Sequence, residues 1–428
     1  MQFGVTSALL AQLQPEPRFC APGLRGGVEA LDGTLVYVAA TDPSRVRGAI
    51  GAAEAQALRA LLREAREALR PVVLLLDSAG ARVDEGLPAL GAFRLMFREA
   101  LRSRLAGVPM LAVLGRSCFG GASMLACVCS RRVFAPDSRL GASGPAVVEA
   151  FEGRERFDSS DRDRVAGLFG AQARRPLLPD DEFADGSIQV QRIRAWLETI
   201  RDGAEWDACA EHTRLEKRLD AAGMLYDSPP APQAMRDAVA LLLPSGYAPR
   251  FSGGVFWSEP PAGSGKAVFA GCISGAAVTA RDCWVLADRL RSLADTHRGS
   301  PLILVLDAES HAASLADEQV LLSSFLVHLS LVIAQLGQSG HRTTLWLPGM
   351  ASGAAYVAFA APVEDVAVLA SARVDILPAA AQQRIIRQTL PRAPDVRALI
   401  AAQVADDVLD GRLAGYARRL RETGSELP

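Results

Sequence analysis

Two glycine-rich turns, 232 residues apart by their glycines, constrain this 428-residue chain more than any other feature. The first reads Cys118-Phe119-Gly120-Gly121-Ala122-Ser123, and the second Met350-Ala351-Ser352-Gly353-Ala354-Ala355-Tyr356. Each follows a β-like apolar run (Met110–Leu114 and Thr343–Leu347) and opens a helix-like stretch of small and apolar residues. Small residues let a ligand come close to the backbone, and a helix N-terminus leaves N–H groups without partners. Such a turn suits a negative charge, so one anion site is expected in each half.

The repetition extends further. Val72–Gly80 resembles Leu302–Ser310 and sets Asp77 against Asp307 at an offset of 230. Gly121 against Gly353 gives 232, and Ser138-Arg139-Leu140 against Ala372-Arg373-Val374 gives 234. Three anchors in the same order with nearly constant offsets argue for a duplicated unit. Each unit reads strand, Asp turn, long helix, strand, Gly turn, helix, short strand. The expected fold class is α/β.

The length suits two domains of roughly 200 residues. Half the residues are hydrophobic, enough for two cores. A net charge of −2 and few aromatics argue against nucleic-acid binding. Met1–Arg18 has neither a basic leader nor an apolar secretory core. Val320–Leu336 is apolar, but Ser323, Ser324, His328, Ser330 and Gln335 suit a buried core helix better than a membrane span. The seven cysteines form no CxxC pair, so no zinc ribbon is encoded, and their odd number without a signal peptide favours reduced thiols and a cytoplasmic setting, with Cys127 and Cys129 as small core residues. The five histidines are dispersed without an HxxxH or HxH pattern, so no metal site is expected. His328 reads as a core residue.

Residues 1–27 read as an N-terminal arm or first helix. Val28–Ala40 alternates as a hairpin around Asp32-Gly33. Ala52–Leu69 and Leu87–Ala106 read as helices, and Val72–Leu76 and Met110–Leu114 as strands buried on both faces. Residues 151–186, rich in Arg and Asp, read as a surface excursion. Helices are expected over Ile188–Ile200, Glu205–Ala222 and Gln233–Leu243, the last preceded by the break Ser228-Pro229-Pro230-Ala231-Pro232. Gly- and Pro-rich sequence over Ser252–Gly265 reads as a linker, which places the domains at 28–245 and 246–428. A charged helix is expected over Asp395–Arg421.

Asp77-Ser78-Ala79-Gly80-Ala81-Arg82-Val83-Asp84-Glu85-Gly86 resembles the DSGGAR-x-x-EG signature of acyl-CoA carboxyltransferase β chains. Gly115-Arg116-x-Cys118-Phe119-Gly120-Gly121, Leu140-Gly141-Ala142-Ser143-Gly144-Pro145 and Phe157-Asp158-Ser159-Ser160-Asp161-Arg162 bring it closer to the β subunit of biotin-independent malonate decarboxylase. The second half is similar to the γ subunit of that enzyme through His328-Leu329-Ser330-Leu331, Gly340-His341 and Ser352-Gly353-Ala354. The resemblance covers most of residues 28–400 and is that of a β–γ fusion. It implies two crotonase-like ββα-superhelix domains in tandem. It also implies decarboxylation of a malonyl thioester, carried on an acyl carrier protein through a phosphopantetheine-type arm, to the acetyl thioester and CO2. No cofactor intrinsic to the chain is implied, and a homodimer or higher homo-oligomer is expected.

By that resemblance Gly120 and Gly121 form an oxyanion hole for the thioester oxygen. Gly353 and Ala354 match a second oxyanion pair, which would hold the departing carboxylate or only shape the wall beside Ser352. Gly80, Ala81 and Arg82 would contact the pantetheine arm or the acyl group; alternatively, Asp77 and Arg82 simply brace that turn. Ser143, Gly144 and Pro145 would line the acyl pocket or form only a Gly-Pro turn. Ala146 stands where the β subunits carry an acid, and the nearest acid is Glu149. Two rivals remain: a biotin-dependent carboxyltransferase served by a separate biotin carrier, and a non-catalytic scaffold that binds an acyl carrier protein.

Overall fold

The apolar run after Pro71 forms a strand buried along its whole length, and the first sheet is built around it. The computed structural model describes residues 5–186, 188–200, 205–226, 230–260, 266–273, 276–378, 381 and 395–409. Through residue 200 the elements are α1 (Val5–Leu13), β1 (Glu16–Pro17), β2 (Leu24–Leu31), β3 (Thr34–Thr41), α2 (Ala52–Glu67), β4 (Val72–Ser78), α3 (Leu87–Leu105) and β5 (Met110–Phe119). Next come α4 (Gly121–Val128), β6 (Arg131–Phe134), β7 (Leu140–Gly141), α5 (Pro145–Glu152), α6 (Arg162–Phe169), α7 (Ala171–Arg174), β8 (Glu182–Phe183) and α8 (Val190–Thr199). The sheet runs β1-β2-β3-β4-β5-β6-β8, antiparallel up to β3 and parallel beyond it. Asp32 and Gly33, both at positive φ, close the β2–β3 hairpin as expected.

Alternate residues of β3, β4 and β5 (Val36, Val38, Val73, Leu75, Leu111, Val113) point to one face, as the two-residue period of a strand requires. There they meet Leu9 and Leu13 of α1 and Ile193 and Trp196 of α8. Residues 5–13 are thus a core helix rather than a loose arm. The paired helices α2 and α3 bury Leu58, Leu61, Leu62, Met96 and Phe97.

The second half contains α9 (Ala208–Ala221), α10 (Gln233–Leu242), β9 (Arg250–Ser252), β10 (Val255–Ser258), β11 (Val268–Ile273), α11 (Ala280–Thr296), β12 (Leu302–Asp307), α12 (Leu315–Gln319), α13 (Leu322–Gln338) and β13 (Thr343–Leu347). It continues with β14 (Met350–Ser352), α14 (Gly353–Ala360), β15 (Asp365–Val368), β16 (Arg373–Asp375), a helix α15 (Val396–Ala401) and β17 (Asp407–Val408). Its sheet runs β17-β15-β13-β12-β11-β10-β9, and β14 pairs with β16 separately. The order β2-β3-β4-β5-β6 of the first sheet recurs as β10-β11-β12-β13-β15, with an antiparallel pair followed by parallel strands each time. The fold is of the expected α/β class, with the same strand pattern in each half.

The two compact units do not divide near 245. One takes the chain up to Asp207 together with Ala313–Val327, and the other takes Ala208–Ala312 with the chain from His328 onward. The helices α9 and α10 therefore join the second unit, while α12 and the first turns of α13 join the first.

Four further expectations need correction. Residues 151–186 are structured, because Phe157, Val165, Leu168 and Phe169 lie hidden among the charges and form a core cluster with Val148. The helix expected over Val320–Leu336 is broken before α13 by Leu321 at φ 63°. The linker over Ser252–Gly265 begins as the β9–β10 edge hairpin, and residues 261–265 lie outside the described residues. The C-terminal charged helix ends at Ala401, the chain then pairs as β17 with β15, and residues 410–428 are not among the described ones. Ser228 and Pro229 of the proline-rich break also fall outside them.

Candidate active site

Three turns of the first unit sit side by side because their strands are in register. Ser78 of β4 pairs with Cys118 of β5, and Cys118 pairs with Leu140 of β7. Gly80, Gly120 and Ala142 follow at the carboxyl ends of these parallel strands, where open α/β sheets receive ligands. β5 runs on past Leu114 to Phe119 through an irregularity in its pairing with β4. Asp77 holds that irregularity: its carboxylate accepts the Ser117 N–H at 3.1 Å. A Cβ at Gly115 would lie 2.6–2.8 Å from the Asp77 side chain, which explains the glycine. Burial pushes the Asp77 carboxyl above its ordinary value, and the backbone hydrogen bonds oppose this.

Gly80 (φ 111°) and Gly120 (φ 57°) face each other closely. A Cβ on Gly120 would lie 3.5 Å from Gly80 Cα, with no other atom within 4 Å. Gly120 caps α4, so the first N–H groups of that helix, starting at Gly121, lie at this junction. Gly120 and Gly121 are both partly exposed. Ser123 donates from Oγ to Gly120 O at 2.7 Å and fixes the turn. A Cβ on Gly121 would stand 2.4 Å from Cζ of the buried Phe93, so α3 forbids a side chain here.

The other first-half candidates are engaged internally. The Gly80 N–H goes to Ser78 Oγ at 3.1 Å. Arg82 binds Asp84 through Nε and Nη2 at 3.0 and 2.7 Å and pairs with Glu85 at 3.3 Å. Ala81 bridges to Ile50. The N–H groups of Ala142 and Ser143 go to the Glu318 carboxylate at 3.2 and 2.5 Å. Gly144 caps α5, which opens with Pro145, and space beside Gly144 is open. Ala146 is exposed. Glu149 accepts the Ser159 N–H at 2.7 Å, and its hydrogen bonds to Ser159 hold it below the usual carboxylate range.

Glu318 is the residue that sequence reasoning missed. It is fully buried on α12, within the first unit. Arg174 of α7, also buried, donates to Leu140 O at 2.9 Å and Glu318 O at 2.7 Å, and lies 3.7 Å from the Glu318 carboxylate. Burial pushes Glu318 up to about 7 against the opposing pull of Arg174 and the two N–H groups. Burial likewise lowers Arg174. The visible signal was the pair Asp317-Glu318 ahead of an apolar run.

The second unit repeats the arrangement. Asp307 accepts the Met350 N–H at 2.8 Å, and a Cβ at Gly349 would strike Asp307 as one at Gly115 strikes Asp77. Gly353 has φ 56°, so its counterpart is Gly120 at an offset of 233, not Gly121. Ala354 then corresponds to Gly121. A Cβ on Gly353 would lie 3.2 Å from Ser310 Oγ and 3.5 Å from His311 Nδ1, and those two atoms are 3.1 Å apart. Sequence reading overlooked this Ser310–His311 pair. Ser352 is buried and donates to Glu309 O at 2.6 Å.

His328 lies in the core, 3.1 Å from His212 Nδ1, and burial pushes it down to about 3, so it is neutral at pH 7. Cys118 is buried, and desolvation lifts its thiol well above the ordinary range. Cys129 is buried too, whereas Cys127 is only partly so. Among the described residues no three His, Cys, Asp or Glu side chains gather as a metal-binding group. No described helix is long and apolar enough to cross a membrane.

Residues 7–165 match the carboxyl transferase domain family. The methylmalonyl-CoA decarboxylase α subunit of Veillonella parvula is 27% identical over 233 residues, which cover 52% of this chain and 44% of that one. A malonyl-S-ACP:biotin-protein carboxyltransferase of Malonomonas rubra is 29% identical over 136 residues, 31% of this chain and 41% of that one. A Pseudomonas malonate decarboxylase heterodimer structure is similar at 23% identity and a TM-score of 0.40, covering 51% of this chain and 95% of that one. The chain spans from 26% to 52% of the length of the curated relatives it matches.

Proposed function

We propose that this chain decarboxylates a malonyl thioester carried by an acyl carrier protein. The observation that carries the reading is the Gly80–Gly120 junction at the N-terminus of α4, with two positive-φ glycines and no side chain over Gly120. The bond from the malonyl α-carbon to its carboxylate breaks, CO2 leaves, and the electron pair passes through the α-carbon to the thioester oxygen. Backbone N–H groups of the Gly120–Gly121 turn stabilise the oxyanion so formed, and each such donor contributes roughly 3 kcal/mol. A proton then adds to the α-carbon and gives the acetyl thioester. Because Gly80, Arg82 and Ser143 are committed to internal hydrogen bonds, they shape the walls around the acyl group and the pantetheine arm. Gly353, Ala354 and Ser352 form a second small-residue turn of the same kind within the second unit. The chain needs no cofactor of its own in this reading, and it works as a homo-oligomer.

The test incubates the purified chain with malonyl-CoA and with malonyl-loaded carrier proteins and follows the acyl group by intact mass. Conversion of malonyl to acetyl without biotin supports the proposal; an unchanged malonyl carrier overturns it. The match of residues 7–165 to the carboxyl transferase domain favours a second reading, carboxyl transfer to biotin on a separate carrier. Loss of the malonyl carboxylate only when a biotinylated carrier is added would select it.

A further inference from the structure

The segment Ala313–Val327 comes from the second half of the sequence yet packs into the first unit, where it reaches two of the candidate turns. Glu318 receives the Ala142 and Ser143 N–H groups. Ser323 Oγ lies 2.7 Å from Ser123 Oγ. Since Ser123 donates to Gly120 O, Ser323 donates to Ser123. Leu315 is tied to the same unit by its N–H, which donates to Glu152 at 2.9 Å.

We infer that Glu318 is a positioning residue that sets the Ala142–Gly144 turn beside the Gly120 turn, with Arg174 holding the carboxylate and β7 in one piece. As regards catalysis this rests on the malonyl-thioester reading; as regards the turn it stands alone. Two adjacent N–H groups converging on one carboxylate fix the direction of the peptide planes at residues 142 and 143. Gly141 reinforces the fit, because a Cβ there would lie 2.7 Å from the Phe169 ring and 2.8 Å from Glu318 Oε2. The charged groups around Glu318 are Arg174 from α7 and Asp317 from its own helix; Glu152 of α5, itself paired with Arg156, caps that helix. An ionised Glu318 accepts both N–H groups and pairs with Arg174. A protonated one loses the pairing and accepts less strongly.

Glu318→Gln keeps the shape but turns one oxygen into a donor, so one of the two N–H groups loses its acceptor. Amide hydrogen exchange at residues 142 and 143 is expected to quicken about tenfold or more in Glu318→Gln, with exchange in β4 unchanged. Arg174→Lys, which keeps the charge but loses the fork, is expected to speed exchange at the same residues. In turnover with malonyl-CoA, the wild type is expected to lose kcat as pH falls through the Glu318 midpoint, and Glu318→Gln to show lower kcat without that limb. Unchanged exchange at 142 and 143 in both variants overturns the positioning role. A pH limb that persists in Glu318→Gln overturns its catalytic consequence. If the wild type turns over no malonyl thioester, the functional reading fails and the exchange data still decide the structural one.

Discussion

Replacing Gly121 with Ala separates an oxyanion turn from a merely tight one. The new Cβ would stand 2.4 and 2.6 Å from Cζ and Cε2 of Phe93, where ordinary contact begins at 3.4 Å, so the ring or the turn must yield by about 1 Å. Phe93 is buried on α3 and lies beside Phe97, with ring centroids 6.3 Å apart, which leaves the ring little freedom. Overpacking of this kind costs about 1–3 kcal/mol of stability. A shift of ~1 Å in an oxyanion donor costs on the order of a hundredfold in kcat. Phe93→Leu withdraws the atoms that Cβ would strike. The double variant is therefore expected to melt above the sum of the two single losses and to recover most of its turnover. The assay pairs thermal melts with malonyl-CoA decarboxylation for the two single variants and the double. A Gly121→Ala protein that melts lower but keeps wild-type kcat would remove the oxyanion role from this turn. Unchanged melting would refute the packing argument.

Three further outcomes are expected. Cys118→Ala retains turnover within a few-fold, since desolvation keeps the buried thiol protonated; intact mass spectra showing an acyl adduct on Cys118 in the parent protein would refute this. Gly120→Ala and Gly353→Ala each lose about 1–3 kcal/mol in urea melts for placing Cβ at positive φ, but Gly120→Ala loses far more kcat; equal kinetic losses would count against assigning the thioester oxygen to the first turn. The folded chain holds the Glu318 proton up to about 7, against 4.5 when free, so its unfolding free energy falls as pH rises through that window. Glu318→Gln lacks this slope, so the wild type loses ~3 kcal/mol relative to it between pH 4.5 and 7, and parallel urea-melt profiles would contradict the assignment.

The strands and long helices were legible because their signals are local. Val72–Leu76 is apolar throughout, and Ala52–Glu67 carries leucines at helical spacing. The duplication was legible through Asp77 and Asp307, and the structure supplies the cause: each carboxylate accepts a backbone N–H just beyond a glycine with no room for a Cβ, Ser117 after Gly115 and Met350 after Gly349. The pairing of Gly121 with Gly353 was one residue off, since sequence similarity does not report φ. Glu318 was legible only as the second acid of Asp317-Glu318, with nothing to mark it as buried. Its partners at Ser143 and Arg174 lie 175 and 144 residues away, and nothing local distinguishes a buried carboxylate from one on a solvated helix face. Residues 151–186 misled because Val165, Leu168 and Phe169 are diluted by surrounding charges.

The Glu318–Arg174 pair gives the sharpest contrast between stability and geometry. Burial shifts both groups toward their neutral forms, so desolvation outweighs their mutual attraction. Such a pair is weak support for the fold, and apolar replacements of similar volume are often neutral or stabilising by about 1–4 kcal/mol. The double variant Glu318→Leu/Arg174→Met strands no charge but leaves the buried N–H groups of Ala142 and Ser143 unsatisfied, so it is expected to melt below the wild type yet above Glu318→Leu. Glu318→Leu alone strands a buried guanidinium and is expected to cost about 3–5 kcal/mol. With Ala142 and Ser143 lacking their acceptor, the turn beside Gly120 loses its orientation and kcat falls by more than the loss of stability accounts for. Melting temperature and malonyl-CoA turnover, measured on the same preparations, separate the two effects. A double variant that keeps full turnover would show that the carboxylate serves neither the turn nor the reaction.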